Sequence, residues 1–454
     1  MDVTFKLAEF SIKTSFKDIP IEVIAKGKER VLDTVGCILA GCNEEVAKII
    51  LRYVEGIGGT PESRIIGYGH KTSIQSAAMA NGTIGHALDF DDSQLSLIGH
   101  PSVAILPAVL AIAEKERASG EKVLEAFLVG FEVACKIGAG VNPKLYNNGW
   151  HATSAIGVLG ATVAAGKLLG LNVNEMSSAM GIAASQACGL RENFGTMTKP
   201  FHAGKAAESG VISAILARHG FTAAKNILEA KRGFCSTLSG EYDLNKIIDH
   251  LGDPYEIVSP GVHTKPYPSC LATHSIIDGT ISLTQENNLK AEDVESVECG
   301  VGPLATEVLI HESPKTSLEG KFSAQFVTAI SLLDRRATLD QFIDEKVQDP
   351  KTVNLMKRVK MVLHPDLAEV PIPPPAIVTI KLKDGREFSK RVDVAKGSPE
   401  KPLSKEEIVA KYKGCTEPII GRDRVDQSIN IIWNLDKTQD INQLMDIITV
   451  LKEL

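Results

Sequence analysis

Small side chains at helical spacing fill most of the first half of the chain, and this pattern constrains the fold most. Apolar residues three and four positions apart predict helices in IEVIAKGKERVLDTVGCILAG (21–41), SVAILPAVLAIAEKERAS (102–119) and GEKVLEAFLVGFEVACKIGAG (120–140). The pattern continues at 154–171, 174–190 and 206–220, where Ala, Gly and Ser are frequent. Because small side chains let helix backbones approach closely, we expect a tightly packed and mostly buried helical bundle.

The pattern changes near residue 260. SPGVHTKPYPSC (259–270) is loop-like and SCLATHSIIDGTISLTQENN (269–288) predicts one more helix, whereas VESVECGVG (294–302) predicts a strand. AIVTIKLKDGREFSKRVDVAKG (376–397) predicts a β-hairpin, because apolar and polar residues alternate and Asp-Gly supplies the turn. The preceding PIPPP (371–375) fits neither a helix interior nor a central strand. A helical pattern returns from about residue 404.

These segments predict a mainly α protein with two domains. A large all-helical domain is formed by residues 1–263 and, after an interruption, by residues 399–454. Residues 264–398 form a smaller α+β domain inserted into it.

Charge and composition exclude several functional classes. Acidic residues exceed basic ones by 56 to 49, and there is no Lys/Arg-rich run, so nucleic acid is not an expected partner. The N-terminal MDVTFKLAEFSIKTSFKDIP lacks the apolar core of a signal peptide. No uncharged apolar stretch reaches the roughly 18 residues of a membrane span. We therefore expect no membrane association.

The cysteines favour a reducing compartment. All 8 are scattered along the chain without a C-x-x-C pair, a spacing that disfavours a zinc site or an iron–sulfur cluster. Free thiols in the cytoplasm are the simplest interpretation.

Four polar clusters interrupt the apolar helical sequence. They are HALDFDDSQLSLIGHPS (86–102), NNGWHATSAIG (147–157), GLRENFGTMTKPFHAGKAAESG (189–210) and HTKPYPSCLATHS (263–275). Each has a structural interpretation when taken alone: a helix cap, a satisfied histidine, a solvated turn and a domain-junction loop. Together they repeat one design, in which a Gly- or Pro-containing turn and titratable groups adjoin the start of a helix.

This recurrence indicates acid–base chemistry on an anionic substrate. Helix N-termini with nearby Lys, Arg and His side chains suit carboxylate groups, and a carboxylate with several histidines suits proton transfer beside them. H-E-x-x-H, paired cysteines and an EF-hand loop are all missing from the sequence, so we predict chemistry without a metal.

The ordered set of motifs resembles the MmgE/PrpD family. HALDFDD, GHPS, GWHATSAIG, GTMTKPFHAGKAA, KPYPSC and SLEGKFSAQF occur in the family's order across essentially the whole chain. The resemblance implies a large helical domain, a smaller α+β lid and an active site between them. It also implies a homodimer, no metal or organic cofactor, and small di- or tricarboxylate substrates.

The resemblance assigns catalytic roles to six residues. Asp89 matches the family's acidic catalytic position, and Asp91 and Asp92 would then anchor the loop. His100 and His151 match the family's two active-site histidines, and Lys199 matches its carboxylate-contacting lysine. Lys265 matches a lysine at the domain junction. His274 is either a substitute for the histidine that some members have at position 270 or a structural group.

Six further residues are candidate substrate contacts. Cys270 falls where some family members have histidine, so a proton-transfer role there is doubtful. Lys321 would close over the substrate, and Ser93 would place a hydroxyl near it. The polar clusters add Arg191, Thr196 and Tyr267.

We therefore predict a cofactor-free lyase that abstracts a proton α to a carboxylate of a small polycarboxylate. A 2-methylcitrate dehydratase-like reaction is the main hypothesis. An iminodisuccinate epimerase-like isomerase and a cis-aconitate decarboxylase-like lyase are alternatives, since all three reactions pass through a carbanion stabilised by cations. The non-enzyme alternative is a catalytically silent helical scaffold or binding protein, in which Asp89, His100, His151 and Lys199 would not converge.

Overall fold

A computed structural model describes residues 2–367 and 375–450. Most of the proline-rich stretch, residues 371–374, therefore lies outside the described residues. The chain divides into two compact units. The first unit comprises Met1–Ala87, Asp91–Val262 and Ser404–Leu454, and the second comprises Leu88–Phe90 and His263–Leu403.

The first unit is built from helices, as the periodicity predicts. Before the insertion these are α1 (Val3–Lys13), α2 (Ile21–Gly41), α3 (Glu45–Ile57), α4 (Ile74–His86), α5 (Pro101–Glu116), α6 (Gly120–Val141), α7 (Lys144–Asn147), α8 (Ala152–Ala155), α9 (Gly157–Leu168), α10 (Val173–Ala184), α11 (Thr198–Arg218) and α12 (Leu244–Ile248). Short two-residue strands lie between them: β1 (Ser63–Arg64), β2 (Lys71–Thr72), β3 (Ser93–Gln94) and, at the end of the segment, β4 (Val262–His263).

Glycine and alanine allow the helices of this bundle to pack closely. At the contact of α6 with α9, a Cβ on Gly130 would lie 2.6 Å from the carbonyl oxygen of Gly160. Every residue of α4 except Gln75 is buried. The predicted close packing of a small-residue bundle is confirmed.

Two predicted helices differ from the structure at their ends. The helix predicted over 154–171 is divided at Ile156 into α8 and α9. The helix predicted over 174–190 ends at Ala184. Five residues later Gly189 has φ of +101°, a left-handed conformation that glycine adopts without steric cost and that a helix continuing to residue 190 could not contain.

The second unit combines helices with a mixed sheet. Its helices are α13 (His274–Glu286), α14 (Pro303–Val308), α15 (Ser317–Gly320), α16 (Ala324–Asp334), α17 (Asp344–Gln348) and α18 (Pro350–Met356). The strands are β5 (Val294–Val301), β6 (Val359–Leu363), β7 (Ala376–Leu382) and β8 (Glu387–Val392), in the order β6-β5-β7-β8. The mainly α class with a smaller α+β part is confirmed.

The predicted hairpin is present as β7 and β8, which pair antiparallel. Val378, Ile380 and Leu382 are buried in the core of the unit, and α13 packs against this face. Strand β6, which pairs parallel to β5, was not predicted, because MKRVKMVLH lacks a regular polar–apolar alternation.

After the insertion the chain returns to the first unit as α19 (Lys405–Ile420), α20 (Arg422–Trp433) and α21 (Asn442–Ile447). Helix α19 packs against α2, where a Cβ on Gly36 would lie 3.0 Å from the Tyr412 ring. Among the described residues, none of the helices is both long and apolar enough to span a bilayer.

Candidate active site

The close crossing of α4 and α11 brings polar groups of two distant segments together. A Cβ on Gly82 would lie 2.8 Å from the Cα of Gly204, so only glycine at both positions permits this approach. His86 lies one turn after Gly82 on α4, and Lys199 lies in the first turn of α11. The crossing therefore positions both side chains inside the bundle.

Asp91, His86 and Lys199 form a buried hydrogen-bonded chain. The Nδ1 atom of His86 lies 2.8 Å from Oδ1 of Asp91, and its Nε2 atom lies 3.0 Å from Nζ of Lys199. A carboxylate only accepts, so His86 donates from Nδ1 and its Nε2 lone pair accepts from the Lys199 ammonium. Each nitrogen of the His86 imidazole is therefore engaged in a hydrogen bond.

Burial and neighbouring charge hold this chain in defined protonation states. Burial lowers the pKa of His86 to about 3, although Asp91 acts in the opposite direction. Burial acts to raise the pKa of Asp91, but His86 and His100 outweigh it and hold that pKa well below its usual range. In this hydrogen-bonded chain, Asp91 is therefore an ionised carboxylate and His86 a neutral imidazole.

His100 joins the same group from the start of α5. Its Nδ1 atom lies 2.7 Å from the carbonyl oxygen of Asp92 and 3.1 Å from Oδ2 of Asp91. Both neighbours are acceptors, so Nδ1 carries a proton. The ring centroid of His100 lies 4.5 Å from that of His86.

His151 pairs with a second histidine, His202 of α11. Their Nδ1 atoms are 3.0 Å apart, and both rings are buried. Burial, followed by the charge of Lys199, lowers the pKa of His202 to about 4 and holds the pKa of His151 well below its usual range. The Phe194 ring packs edge-on against His151, and Lys199 Nζ lies 5.5 Å from the centroid of the same ring.

Asp92 anchors its loop. Its carboxylate accepts hydrogen bonds from the hydroxyl and backbone N–H of Ser102 in the first turn of α5. Arg30 lies 4.0 Å away. Burial raises the pKa of Asp92 to about 7 despite this cation. Asp91, in contrast, faces two imidazoles and is part of the site group.

Three other predicted residues of the first unit lie in varied surroundings. Ser93 is buried on β3. The Arg191 guanidinium lies 3.8 Å from the centroid of the Tyr146 ring and donates to the Tyr146 carbonyl at 3.0 Å. Thr196 is exposed, and its hydroxyl accepts from the backbone N–H of Thr198 at the start of α11. These contacts give Arg191 and Thr196 local structural partners.

The second unit holds a buried ion pair between Asp89 and Lys265. The Lys265 ammonium lies 3.0 Å from both Oδ1 and the carbonyl oxygen of Asp89. Asp89 has φ of +51°, a left-handed conformation that is uncommon outside glycine. This turn directs its carbonyl and its carboxylate toward the same ammonium.

The remaining predicted residues also belong to the second unit. His274 is fully buried, lies 3.3 Å from the carbonyl oxygen of Ser269 through Nε2, and has a pKa that burial lowers to about 3. Tyr267 donates to Asp278 at 2.6 Å, and burial raises the pKa of its phenol.

Cys270 and Lys321 are joined through their backbones. The N–H of Cys270 donates to the carbonyl oxygen of Lys321 at 3.0 Å. Lys321 is buried, and Cys270 is partly exposed. This bond links the KPYPSC loop to the end of α15.

A metal ion is the competing use of the histidine group. His86, Asp91 and His100 offer potential ligand atoms within 4.8 Å of one another. However, the Nδ1 protons of both histidines face Asp91, and the Lys199 ammonium faces the other nitrogen of His86. A divalent cation would have to displace those protons beside a fixed positive charge, so the residues do not fit a metal.

The group in the first unit is suited to proton transfer beside an anion. Lys199 supplies a buried positive charge, and four imidazoles supply groups that can take up or release a proton. Sequence reasoning missed His86 and did not select His202. The signal was present, since His86 opens the HALDFDD motif and only Phe201 separates His202 from the TKP motif.

Comparison with known proteins matches most of the chain to the two domains of one family. Residues 6–246 match the MmgE/PrpD N-terminal domain, and residues 267–437 match the MmgE/PrpD C-terminal domain.

Three relatives are similar to this chain over about two thirds or more of their length. A cis-aconitate decarboxylase of Mus musculus is 30% identical over 442 residues, which cover 93% of this chain and 88% of the relative. That of Aspergillus terreus is 27% identical over 471 residues, which cover 98% and 96%. A mitochondrial 2-methylcitrate dehydratase of Yarrowia lipolytica is 26% identical over 357 residues, which cover 73% and 66%. The resemblance found in the sequence motifs is thus confirmed, and the chain belongs to the MmgE/PrpD family.

Proposed function

We propose that this protein is a lyase that generates a carbanion next to a carboxylate of a small di- or tricarboxylate, and that the reaction is the decarboxylation of a substrate like cis-aconitate. The observation that carries the proposal is the buried chain from Asp91 through His86 to Lys199, which fixes an ammonium among histidines. The similarity to cis-aconitate decarboxylases supports decarboxylation as the first candidate, ahead of the dehydration that the sequence motifs favoured.

In the proposed reaction, the bond between the α-carbon and the departing carboxylate breaks and CO₂ leaves. The electron pair remains on carbon and is delocalised toward a retained carboxylate. Lys199 stabilises that developing charge, and its effect is strong because the site is buried. A proton from His100 or His151 then completes the new C–H bond.

The neutral state of the histidines supports a reaction of this kind. Burial holds the pKa of His86, His151 and His202 below the ordinary value, so these rings are neutral near pH 7. A neutral imidazole still carries one N–H, and it can give up that proton when its second nitrogen takes up another. A neutral histidine ring can therefore act as the acid that protonates the carbanion.

The Asp89–Lys265 pair is proposed to act on protons and carboxylates in the same reaction. This role comes from the family resemblance of Asp89 and from its buried, charge-paired state within the second unit. His274, with Cys270 preceding it where some family members have histidine, is proposed as a further proton-handling group.

Dehydration of a substrate like 2-methylcitrate is the second candidate. It is favoured by cysteine at position 270 and by the similarity to a 2-methylcitrate dehydratase. Dehydration would require a base for the α-proton and an acid for the departing hydroxide. The histidine group could supply both, because His100 and His151 are separate imidazoles in one site.

Proton NMR in D₂O distinguishes the candidates. Purified protein is incubated with cis-aconitate, 2-methylcitrate, citrate and iminodisuccinate in separate samples. We expect cis-aconitate to lose CO₂ and the product to carry one solvent deuterium. Water loss from 2-methylcitrate would favour dehydration, and deuterium exchange without loss of a group would favour epimerisation.

A matched pair of lysine variants tests the role of the buried ammonium. Lys199→Met should reduce turnover by at least about 10²-fold, since removal of one stabilising donor typically costs that much. Lys205→Met is the control, because Lys205 lies on the same helix and pairs with Glu208. Equal activity of the two variants would contradict the proposed role of Lys199. Turnover of none of the four substrates by the wild type would contradict the proposed function and favour a silent scaffold.

A further inference from the structure

The contact between His151 and His202 joins two atoms of the same kind. Nδ1 of His151 lies 3.0 Å from Nδ1 of His202, a hydrogen-bond distance. Such a bond needs one donor and one acceptor, so only one of the two Nδ1 atoms can carry a proton. The two rings must therefore adopt opposite tautomers, and the tautomer of one dictates that of the other.

The backbone around Gly189 holds both rings in this arrangement. The N–H of His151 donates to the carbonyl oxygen of Gly189 at 3.0 Å. A Cβ on Gly189 would lie 3.0 Å from Ser154 and 3.3 Å from the ring of His202. Gly189 thus fixes the backbone of His151 and leaves space for the His202 ring. The surrounding backbone therefore supports the contact between the two rings.

The surroundings of the pair disfavour an extra positive charge. His151 faces Lys199, His86, His100 and His202, and His202 faces Lys199 and His151. An imidazolium formed at His151 would be buried next to the Lys199 ammonium, which is costly. A proton transfer at His151 is easier when a second proton moves at the same time and leaves the ring neutral.

We infer that His202 is a proton relay to His151, through the single proton shared by their Nδ1 atoms. This role rests on the proposed function. His151 gives its Nε2 proton to the substrate carbanion, the proton on Nδ1 of His202 passes to Nδ1 of His151, and Nε2 of His202 takes a proton from water. One proton moves from solvent to carbon, and both rings are neutral before and after.

The relay returns to its starting state after the product leaves. Water that enters the site then protonates Nε2 of His151, and the shared proton moves back to Nδ1 of His202. Nε2 of His202 releases its proton to solvent, so the reset consumes none. His202 is thus a positioning and relay residue that does not itself touch the substrate.

His202→Gln separates the relay from simple positioning. A glutamine amide can still donate to Nδ1 of His151, so the ring stays oriented, but it cannot pass a proton on. We expect kcat to fall about 10²-fold with KM unchanged. The solvent-isotope proton inventory should change from curved, with two protons in flight, to linear. His219→Gln, at the exposed end of the same helix, is the control and should match the wild type.

Nitrogen NMR tests the shared proton without any substrate. In the wild type near pH 7, we expect one protonated and one unprotonated Nδ1 for the pair, assigned by comparison with the His202→Gln and His219→Gln spectra. Two protonated or two unprotonated Nδ1 atoms would overturn the inference, as would full kcat and a curved inventory in His202→Gln.

Failure of the proposed function gives a different result. In that case the wild type turns over none of the four polycarboxylates, and the catalytic role of His202 is lost with it, while the NMR spectra still show the shared proton. Failure of the inference alone leaves the wild type and His202→Gln equally active.

Discussion

At the scale of single residues, the site depends on which carboxylate faces which group. Asp91 and Asp92 are adjacent and fully buried, yet Asp91 contacts His86 and His100 whereas Asp92 contacts Ser102. The sequence alone treats both as loop anchors, because nothing in DFDD shows which side chain turns toward the histidines.

Asp91→Asn should therefore impair catalysis far more than Asp92→Asn. Asparagine at 91 removes the charge that fixes the tautomers of His86 and His100, and we expect kcat to fall by about 10²-fold or more. Asp92 has a pKa of about 7 and is already partly neutral near that pH, so its amide should have a small effect. Steady-state kinetics of the two variants check this, and equal losses would show that Asp91 serves only to hold the loop.

The structure brings some of the predicted residues together and separates others, for a physical reason. Histidine and lysine types at the start of α5, α8 and α11 could be selected because helix starts suit anionic ligands, and His100, His151 and Lys199 do surround His86. The partners of Arg191 could not be predicted, since its position over the Tyr146 ring depends on the tertiary fold.

At the scale of elements, one helix crossing sets the geometry of the site. A Cβ on Gly204 would lie 2.1 Å from Oγ1 of Thr83 and 2.2 Å from the carbonyl oxygen of Met79, so α4 and α11 would have to separate. Composition predicts close helix packing in this region, but the particular pair of glycines that meet is fixed only by the three-dimensional arrangement.

Gly204→Ala should lower the free energy of unfolding by about 1–3 kcal/mol, as overpacking of a tight core does. It should also lower turnover, because His86 and Lys199 lie on the two helices that move apart. Gly56→Ala is the control, since Gly56 is exposed on α3 with open space around it, and alanine should stabilise that helix by about 0.5–1 kcal/mol. Urea midpoints decide the matter, and a Gly204→Ala midpoint at or above that of the wild type would refute the packing argument.

At the scale of the whole molecule, buried titratable groups make stability depend on pH. Burial lowers the pKa of five histidines, to about 3 or 4 where the shift is defined: His86, His151, His202, His263 and His274. Below about pH 6.5 the unfolded chain binds protons at these positions while the folded chain does not. The contribution of these buried neutral histidines to the free energy of unfolding is therefore complete above about pH 6.5 and is lost as the pH falls toward 4.

Two carboxyl groups act in the opposite direction. Burial raises the pKa of Asp92 and Glu132 to about 7, so between pH 7 and 4 the folded chain binds protons there that the unfolded chain does not. Each group contributes about 1.4 kcal/mol per pH unit, and the five histidines outweigh the two carboxyl groups.

We therefore expect the urea midpoint to fall markedly between pH 6.5 and pH 4.5. His202→Gln should show a weaker dependence, because it removes one of the buried histidines. A midpoint that stays constant or rises over this range would show that these histidines are solvated in the folded protein.

The fold class and the family could both be predicted from the sequence, because periodicity and motif order extend over the whole chain. The sequence could not predict every chain segment that belongs to the second unit. Leu88–Phe90 belongs to it, although the residues on either side belong to the first unit. Three residues are too few for any periodic or compositional signal.

Because Leu88–Phe90 belongs to the second unit, the two units cannot be separated by cutting the chain only before residue 263 and after residue 403. A fragment expressed as residues 263–403 alone would lack Asp89 and would carry Lys265 with its carboxylate partner removed. Replacing residues 263–403 with the matching segment of a relative would likewise pair the relative's lysine with Asp89 of this protein. A chimera that takes this ion pair from one protein therefore has to exchange two segments, His263–Leu403 and the much shorter Leu88–Phe90.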